Sequence, residues 1–221
     1  MIKYLKKGYN EDLLIISGWG FDPYVFDFER LPFNLIVPKE PLLISSISDI
    51  LHNIKKECFV LGWSYGAHIA CDIFDIRPDL IKGLILVSLS ISFDKRSIKD
   101  TIKKLKKDKI RTLKEFYLFC FKGQKEDYKQ FKKHHEKRCM HFWNTADLIS
   151  ALNYLSYHRV NILRIKHIPL LIINGKNDIF ESDLQLHRYA KIKIKNLDSG
   201  HLPFLKDKFY DEISLFKKGY K

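Results

Sequence analysis

The pentapeptide Gly62-Trp63-Ser64-Tyr65-Gly66 lies between two apolar runs. The four residues before it, Cys58-Phe59-Val60-Leu61, predict a buried strand, and residues 67–74 predict a helix. A serine in a sharp turn between strand and helix exposes its hydroxyl at the edge of a sheet, and glycines two positions away let the backbone pass closely. A pattern with two fixed glycines also arises by chance, so other residues must supply partners for Ser64.

A nucleophilic serine of this kind needs an acid and then a histidine later in the chain. The apolar run 168–174 predicts a buried strand, and Asp178 lies in the turn after it. His201 follows the alternating segment 191–197, which predicts the last strand, and precedes a predicted final helix. Asp183 is the alternative acid. The order serine, aspartate, histidine therefore predicts a catalytic triad.

An acyl-transfer site also needs two backbone N–H groups that face the developing oxyanion. We expect one from Tyr65, the residue after the predicted nucleophile. The second is expected from Trp19, because residues 13–17 predict an early strand and Gly18-Trp19-Gly20 the loop after it. We expect the Trp19 ring to be exposed beside the nucleophile and to offer apolar surface to an acyl chain.

Three motifs resemble the pimeloyl-acyl-carrier-protein methyl ester esterases, the BioH-type carboxylesterases of biotin synthesis in the α/β-hydrolase superfamily. They are Gly18-Trp19-Gly20, Gly62-Trp63-Ser64-Tyr65-Gly66 and Gly200-His201-Leu202-Pro203-Phe204. The resemblance covers residues 12–216. It implies a methyl ester substrate carried by an acidic acyl carrier protein, with no metal and no organic cofactor. Two positions depart from the family pattern: Ser17 replaces a common histidine, and Ala67 replaces a common glycine.

The composition fits one compact enzyme domain. The 221 residues are 46% hydrophobic, and no linker rich in Pro, Gly or Ser divides them. Four cysteines without CxxC spacing and no N-terminal signal segment favour a reduced, cytoplasmic protein. No apolar run is long enough to span a membrane. We expect a monomer.

Strands that alternate with helices predict an α/β fold, a mainly parallel sheet with helices on both faces. The expected strands lie near 12–17, 34–37, 57–62, 82–88, 168–174 and 191–197, and the expected helices near 44–56, 65–76, 182–190 and 205–217. Between the predicted strands 82–88 and 168–174, the apolar residues recur at helical intervals. We therefore predict an α/β-hydrolase core of residues 1–93 and 167–221 with an inserted helical lid at 94–166.

Basic residues concentrate in the predicted lid. Residues 95–138 contain 17 Lys and Arg against 6 Asp and Glu, a surplus of 11 out of the chain's +13. Lys103, Lys107 and Arg111 are candidate contacts for an acyl carrier protein, since opposite charge steers association. A solvated lysine-rich face explains the same composition equally well.

Two other functions stay open. One is an esterase or thioesterase for another acyl group, because a triad does not encode the leaving group. The other is a basic nucleic-acid-binding protein on an inactive hydrolase scaffold, although no nucleic-acid recognition module accompanies the charge, so we expect no nucleic-acid partner. The group His134, His135, Cys139 and His141 fits no common zinc spacing and lies in a basic segment, so we predict no metal.

Overall fold

The computed structural model describes residues 2–165, 167–180 and 192–219. Its strands are β1 (Ile2–Leu5), β2 (Asp12–Ile16), β3 (Asn34–Pro38), β4 (Cys58–Trp63), β5 (Ile81–Val87), β6 (Leu170–Gly175) and β7 (Ile192–Leu197). They form one sheet in the order β1-β3-β2-β4-β5-β6-β7. Only β1 runs antiparallel to its neighbour among these described strands. The predicted α/β fold with a mainly parallel sheet is confirmed.

The central strands are apolar because both faces of the sheet are covered. Every residue of β2, β3 and β4 is buried, and strands buried on both faces appear in a sequence as continuous apolar runs. The edge strand β1 was not predicted. It has only four residues, and two of them, Lys3 and Tyr4, are exposed, so its sequence lacks that apolar run.

The described helices agree with most of the predicted ones. They are α1 (Ile47–Asn53), α2 (Tyr65–Ile76), α3 (Lys95–Lys107), α4 (Lys109–Cys120), α5 (Lys125–His134), α6 (Glu136–Phe142), α7 (Thr145–Tyr157) and α8 (Asp207–Lys218). The helix expected at 44–56 is shorter, since it starts with a 3-10 turn at Ile44–Ser46 and ends at Asn53. The helix expected at 182–190 lies outside the described residues.

Helices α3 to α7 lie between β5 and β6, where the insertion was predicted. Asp94 and Asp108 begin α3 and α4 by accepting hydrogen bonds from the backbone N–H groups of Ser97 and Arg111. Helix α7 is tied to the core at two places. Trp19 Nε1 donates to Leu148 O over 2.9 Å, and the Tyr154 hydroxyl donates to the Asp72 carboxylate over 2.6 Å. The division into core and lid stays a prediction.

The four cysteines are free and buried. Burial raises the pKa of the Cys58 thiol to about 12, so this thiol is protonated and unreactive at neutral pH. Across the described ranges, no helix combines the length and the apolar character that crossing a bilayer requires.

Candidate active site

Ser64 occupies a strained turn between β4 and α2. Its φ is 53° and its ψ is −113°, in a region that residues with a side chain rarely adopt. The glycines on either side are needed for space. A Cβ on Gly62 would lie 2.3 Å from Gly66 O, and one on Gly66 would lie 2.3 Å from Ile16 O. The turn therefore presses α2 against strands β2 and β4 and lifts Ser64 above the sheet edge.

The structure brings Ser64, His201 and Asp178 into one hydrogen-bonded chain. His201 Nε2 lies 3.1 Å from Ser64 Oγ, and His201 Nδ1 lies 2.9 Å and 3.0 Å from the two Asp178 carboxylate oxygens. The side chains of His201 and Asp178 are each 1% exposed. With the carboxylate accepting from Nδ1–H, Nε2 is left to accept the serine proton. The arrangement can therefore generate a serine nucleophile. The alternative acid, Asp183, lies outside the described residues.

The sheet explains why three distant residues meet. Ser64 follows β4, Asp178 follows β6 and His201 follows β7, and the carboxyl ends of parallel strands share one edge of a sheet. The loops after β6 and β7 are also bonded to each other. Lys176 N donates to Leu197 O over 2.8 Å, and Asn177 N donates to Ser199 O over 3.0 Å. These bonds fix the loop of the acid against the loop of the histidine.

The contact with His201 keeps Asp178 charged. Burial is the largest single effect and raises the pKa of the Asp178 carboxyl. The hydrogen bond and the charge of His201, the Phe180 N–H at 2.9 Å and the Ser88 hydroxyl together outweigh it. The pKa of Asp178 therefore lies below its ordinary value. A carboxylate in this state can orient the imidazole and stabilise its protonated form.

Sequence reasoning missed the groups that hold the His201 backbone. Trp63 Nε1 donates to His201 O over 2.9 Å, and Ser88 Oγ donates to the same oxygen over 3.0 Å. Phe180 packs against the imidazole with ring centroids 4.8 Å apart. Trp63 lies inside the quoted pentapeptide and Ser88 is the last residue of a predicted strand, so both had a positional signal. Nothing in the sequence indicated that both side chains reach one carbonyl.

The loop after β2 closes on itself beside Ser64. Phe21 N donates to Gly18 O over 3.1 Å, and Ser17 Oγ donates to Phe21 O over 2.9 Å, so the serine that replaces the family's histidine closes this turn. The expectation of an exposed Trp19 ring was wrong, because Trp19 is only 4% exposed. The ring is covered because α7 accepts its N–H. It nevertheless lines the cavity beside Ser64. Ala67, which replaces the glycine common in the family, is fully buried in α2, and the turn at Ser64 forms with alanine at this position.

A cavity of about 350 Å³ opens onto Ser64. Its apolar lining comes from the core and from α3, α4 and α7, namely Trp19, Phe93, Ile98, Phe116, Phe119, Leu152, Leu155, Ile179 and Phe180. Ser64 and Trp19 are buried at its floor, whereas Phe119 is 49% exposed and marks its mouth. The volume and lining suit a small ligand with an apolar chain.

The predicted carrier contacts lie apart from this cavity. Lys103 and Lys107 are exposed on α3, and Arg111 is exposed on α4. Lys103 Nζ is 3.5 Å from Asp100, and Arg111 Nε is 3.0 Å from Glu115. The positive charge of Arg111 is thus partly neutralised within its own helix.

The described residues contain no group of three or more His, Cys, Asp or Glu placed to hold a metal ion. In the segment 134–141, for which we predicted no metal, His135 Nδ1 contacts the Arg138 guanidinium at 2.9 Å, and Cys139 is buried. A guanidinium next to an imidazole disfavours a cation there.

The curated relatives of this chain are named as esterases. No family model matches the chain. The pimeloyl-[acyl-carrier protein] methyl ester esterase of Wigglesworthia glossinidia brevipalpis is 28% identical over 91% of this chain and 84% of its own length. The protein of the same name from Nitrosospira multiformis is 25% identical over 93% of this chain and 83% of its own. The resemblance found in the motifs is thereby confirmed.

Solved structures agree on the fold. A hydrolase from Pseudomonas aeruginosa PA01 has a TM-score of 0.76 at 15% identity, covering 98% of this chain and 93% of its own. A bromoperoxidase from Bacillus anthracis has a TM-score of 0.80 at 15% identity, covering 98% of this chain and 94% of its own. At such low sequence identity, these structural similarities support the fold alone. The two curated esterases support the enzyme class.

Proposed function

Because the chain is an α/β hydrolase with esterase relatives, we propose that it is a serine carboxylesterase that hydrolyses the methyl ester of pimeloyl-acyl-carrier protein in biotin synthesis, releasing methanol. The observation that carries this proposal is the hydrogen-bonded chain of Ser64, His201 and Asp178 at the floor of an apolar cavity. The substrate is taken from the names of the two curated relatives, and the cavity lining suits its apolar acyl chain.

In this proposal Ser64 Oγ attacks the ester carbonyl carbon while His201 Nε2 takes the hydroxyl proton. Asp178 holds the imidazole and stabilises its positive charge. When the tetrahedral intermediate collapses, His201 returns the proton to the methoxy oxygen and methanol leaves. Water then attacks the acyl-enzyme with His201 as its base, which releases the free carboxylate and restores Ser64.

The backbone N–H groups of Tyr65 and Trp19 are the proposed oxyanion donors. Tyr65 is the first residue of α2, and the first N–H groups of a helix have no acceptor within it. Trp19 lies in the loop that Ser17 and Phe21 close. A donor in a loop already fixed before the reaction stabilises the developing charge without reorganisation.

The helices between β5 and β6 act as the lid in this proposal, at residues 94–166. They supply the cavity wall opposite the core through Ile98, Phe116 and Leu152. An apolar wall suits an uncharged methyl ester better than the carboxylate that replaces it, because an unpaired charge in apolar surroundings is costly. Product release would thus be favoured by the reaction itself.

The proposal is tested with methyl pimeloyl carrier protein and with carrier-linked methyl esters of shorter and longer diacids. We expect methanol and free-acid release to be fastest with the seven-carbon chain, with no free thiol formed. The same methyl esters linked to coenzyme A in place of the carrier protein test whether the carrier protein is needed. Release of a thiol would instead show a thioesterase, and equal rates on all chain lengths would contradict a pimeloyl specificity.

The carrier protein is proposed to dock on the basic face of α3. Replacing Lys103 and Lys107 by Glu should lower kcat/KM for the carrier-linked ester by about tenfold at low salt, because steering by charge accelerates association by that order or more. A small soluble methyl ester should be hydrolysed at an unchanged rate. The measurement is kcat/KM for both substrates at low and high ionic strength.

The matched control replaces Lys208 and Lys218 by Glu, an equal charge change at two exposed positions of α8. The ion pair between Lys103 and Asp100 is exposed on both sides, so losing it should leave the fold intact. Equal losses on the two substrates, or the same loss from the double replacement on α8, would show that this face does not bind the carrier.

A further inference from the structure

The polar residues at the cavity mouth come from one face of α3. Asp94, Ser97 and Thr101 line the cavity with Ile98. Ser97 and Thr101 are four residues apart and lie on the same side of the helix. Asp94 caps the N-terminus of α3 and accepts hydrogen bonds from Ser97. Asp94 and Ser97 are exposed, unlike Ser64 at the floor. When the ester of an acyl chain reaches Ser64, the opposite end of the chain therefore lies beside these residues. We call Asp94, Ser97 and Thr101 the acceptor strip.

The hydroxyl hydrogens of the strip are already used within α3. Ser97 Oγ donates to Asp94 Oδ2 over 2.7 Å, and Thr101 Oγ1 donates to Ser97 O over 2.9 Å. A hydroxyl has one hydrogen and two lone pairs. What Ser97 and Thr101 offer to the cavity is therefore lone pairs, and Asp94 adds carboxylate oxygens.

Asp94 is charged at neutral pH. The backbone N–H of Ser97 and then its hydroxyl hold the pKa of the Asp94 carboxyl below its ordinary value, with a smaller contribution from Arg96. Lys95 and Arg96 are exposed neighbours that do not line the cavity among the residues described, and Lys95 Nζ lies over the Tyr157 ring. The cavity mouth therefore presents acceptors and a negative charge.

We propose that the acceptor strip selects the remote end of the substrate, accepting an uncharged group with N–H or O–H donors and disfavouring a free carboxylate. The inference rests on the proposed function and deepens it. A phosphopantetheine arm carries amide N–H groups, so a carrier-linked half-ester satisfies the strip. The free half-ester of a diacid would place a carboxylate beside Asp94, where like charges repel.

The test uses two small esters of the same chain length, so it does not depend on docking of the carrier. One is monomethyl pimelate, which has a free carboxylate. The other is a pimelate derivative in which one carboxyl group is a methyl ester and the other is an N-(2-hydroxyethyl) amide. We expect wild-type kcat/KM to be about tenfold higher for the amide. The preference should shrink in 1 M salt, where charges are screened beyond about 3 Å.

Asp94→Asn should reduce this preference to about threefold or less, mainly through faster hydrolysis of monomethyl pimelate. Asparagine caps a helix as well as aspartate does, so α3 should stay folded. Asp108→Asn is the matched control, because Asp108 caps α4 in the same way, accepting from Arg111 N over 2.9 Å, and does not line the cavity. It should leave the preference unchanged.

An unchanged preference in Asp94→Asn, or an equal change in Asp108→Asn, would overturn the role of the strip while leaving the proposed esterase standing. If wild-type protein hydrolyses neither small ester nor the carrier-linked ester, the proposed function fails and this inference fails with it.

Discussion

Replacement of Ser64 by Ala is expected to lower esterase kcat by about 10⁵-fold or more, because no other group then forms the acyl-enzyme. The Ser64 hydroxyl bonds to His201 Nε2 at 3.1 Å, so its loss leaves that nitrogen without the donor it needs. A fluorophosphonate probe should label wild-type protein once and Ser64→Ala not at all. Mass spectrometry of the labelled protein measures both outcomes.

The control variant is Ser45→Ala, which removes an exposed serine hydroxyl on the 3-10 turn before α1. It should keep full activity and full labelling. Ser64→Ala should unfold at nearly the wild-type temperature, since one hydrogen bond contributes only about 1 kcal/mol to stability. Residual labelling of Ser64→Ala would show that another residue is the nucleophile, and the proposed mechanism would then be wrong.

The sequence predicted the parts of the site that depend on local chain geometry. The strand-to-helix turn at Ser64 is specified by Gly62 and Gly66, whose positions tolerate no Cβ. Asp178 follows an apolar strand and His201 follows a strand of alternating apolar and polar residues, and the order of parallel strands then brings the two loops together. Each of these signals lies within a few residues of the side chain it positions, so it can be read without coordinates.

Features that depend on contacts between distant segments could not be predicted. The burial of Trp19 results from a bond to Leu148, 129 positions later, and no local pattern encodes that pairing. The hydrogen bonds from Trp63 and Ser88 to the His201 carbonyl also join segments that are far apart in the sequence, so no local pattern predicts them. The cavity mouth also needed the structure, because only the packing of α3 shows that Asp94 lines the cavity.

Gly175→Ala is expected to disable the site from a position that touches no substrate. Gly175 ends β6, three residues before Asp178, and a Cβ there would lie 2.0 Å from Gly200 O, next to His201. The clash is with backbone, so either the β6 loop or the β7 loop must move. A displacement of about 1 Å in catalytic groups costs on the order of 10²-fold in rate.

Stability should fall as well, because forcing extra atoms into a packed region costs about 1–3 kcal/mol. For a chain of this size, each kcal/mol lowers the melting temperature by about 2–4 °C. The measurements are kcat/KM on a small methyl ester and thermal unfolding followed by circular dichroism. The activity loss should exceed what partial unfolding explains at the assay temperature.

Gly219→Ala is the matched control, since it adds the same methyl group at the end of α8. Gly219 has a φ of −73°, and the added carbon would meet the tip of the Lys193 side chain at 3.3 Å, which can move aside. This variant should keep wild-type activity and stability. If Gly175→Ala behaves like Gly219→Ala, the close approach of the β6 and β7 loops is not what aligns Asp178 with His201.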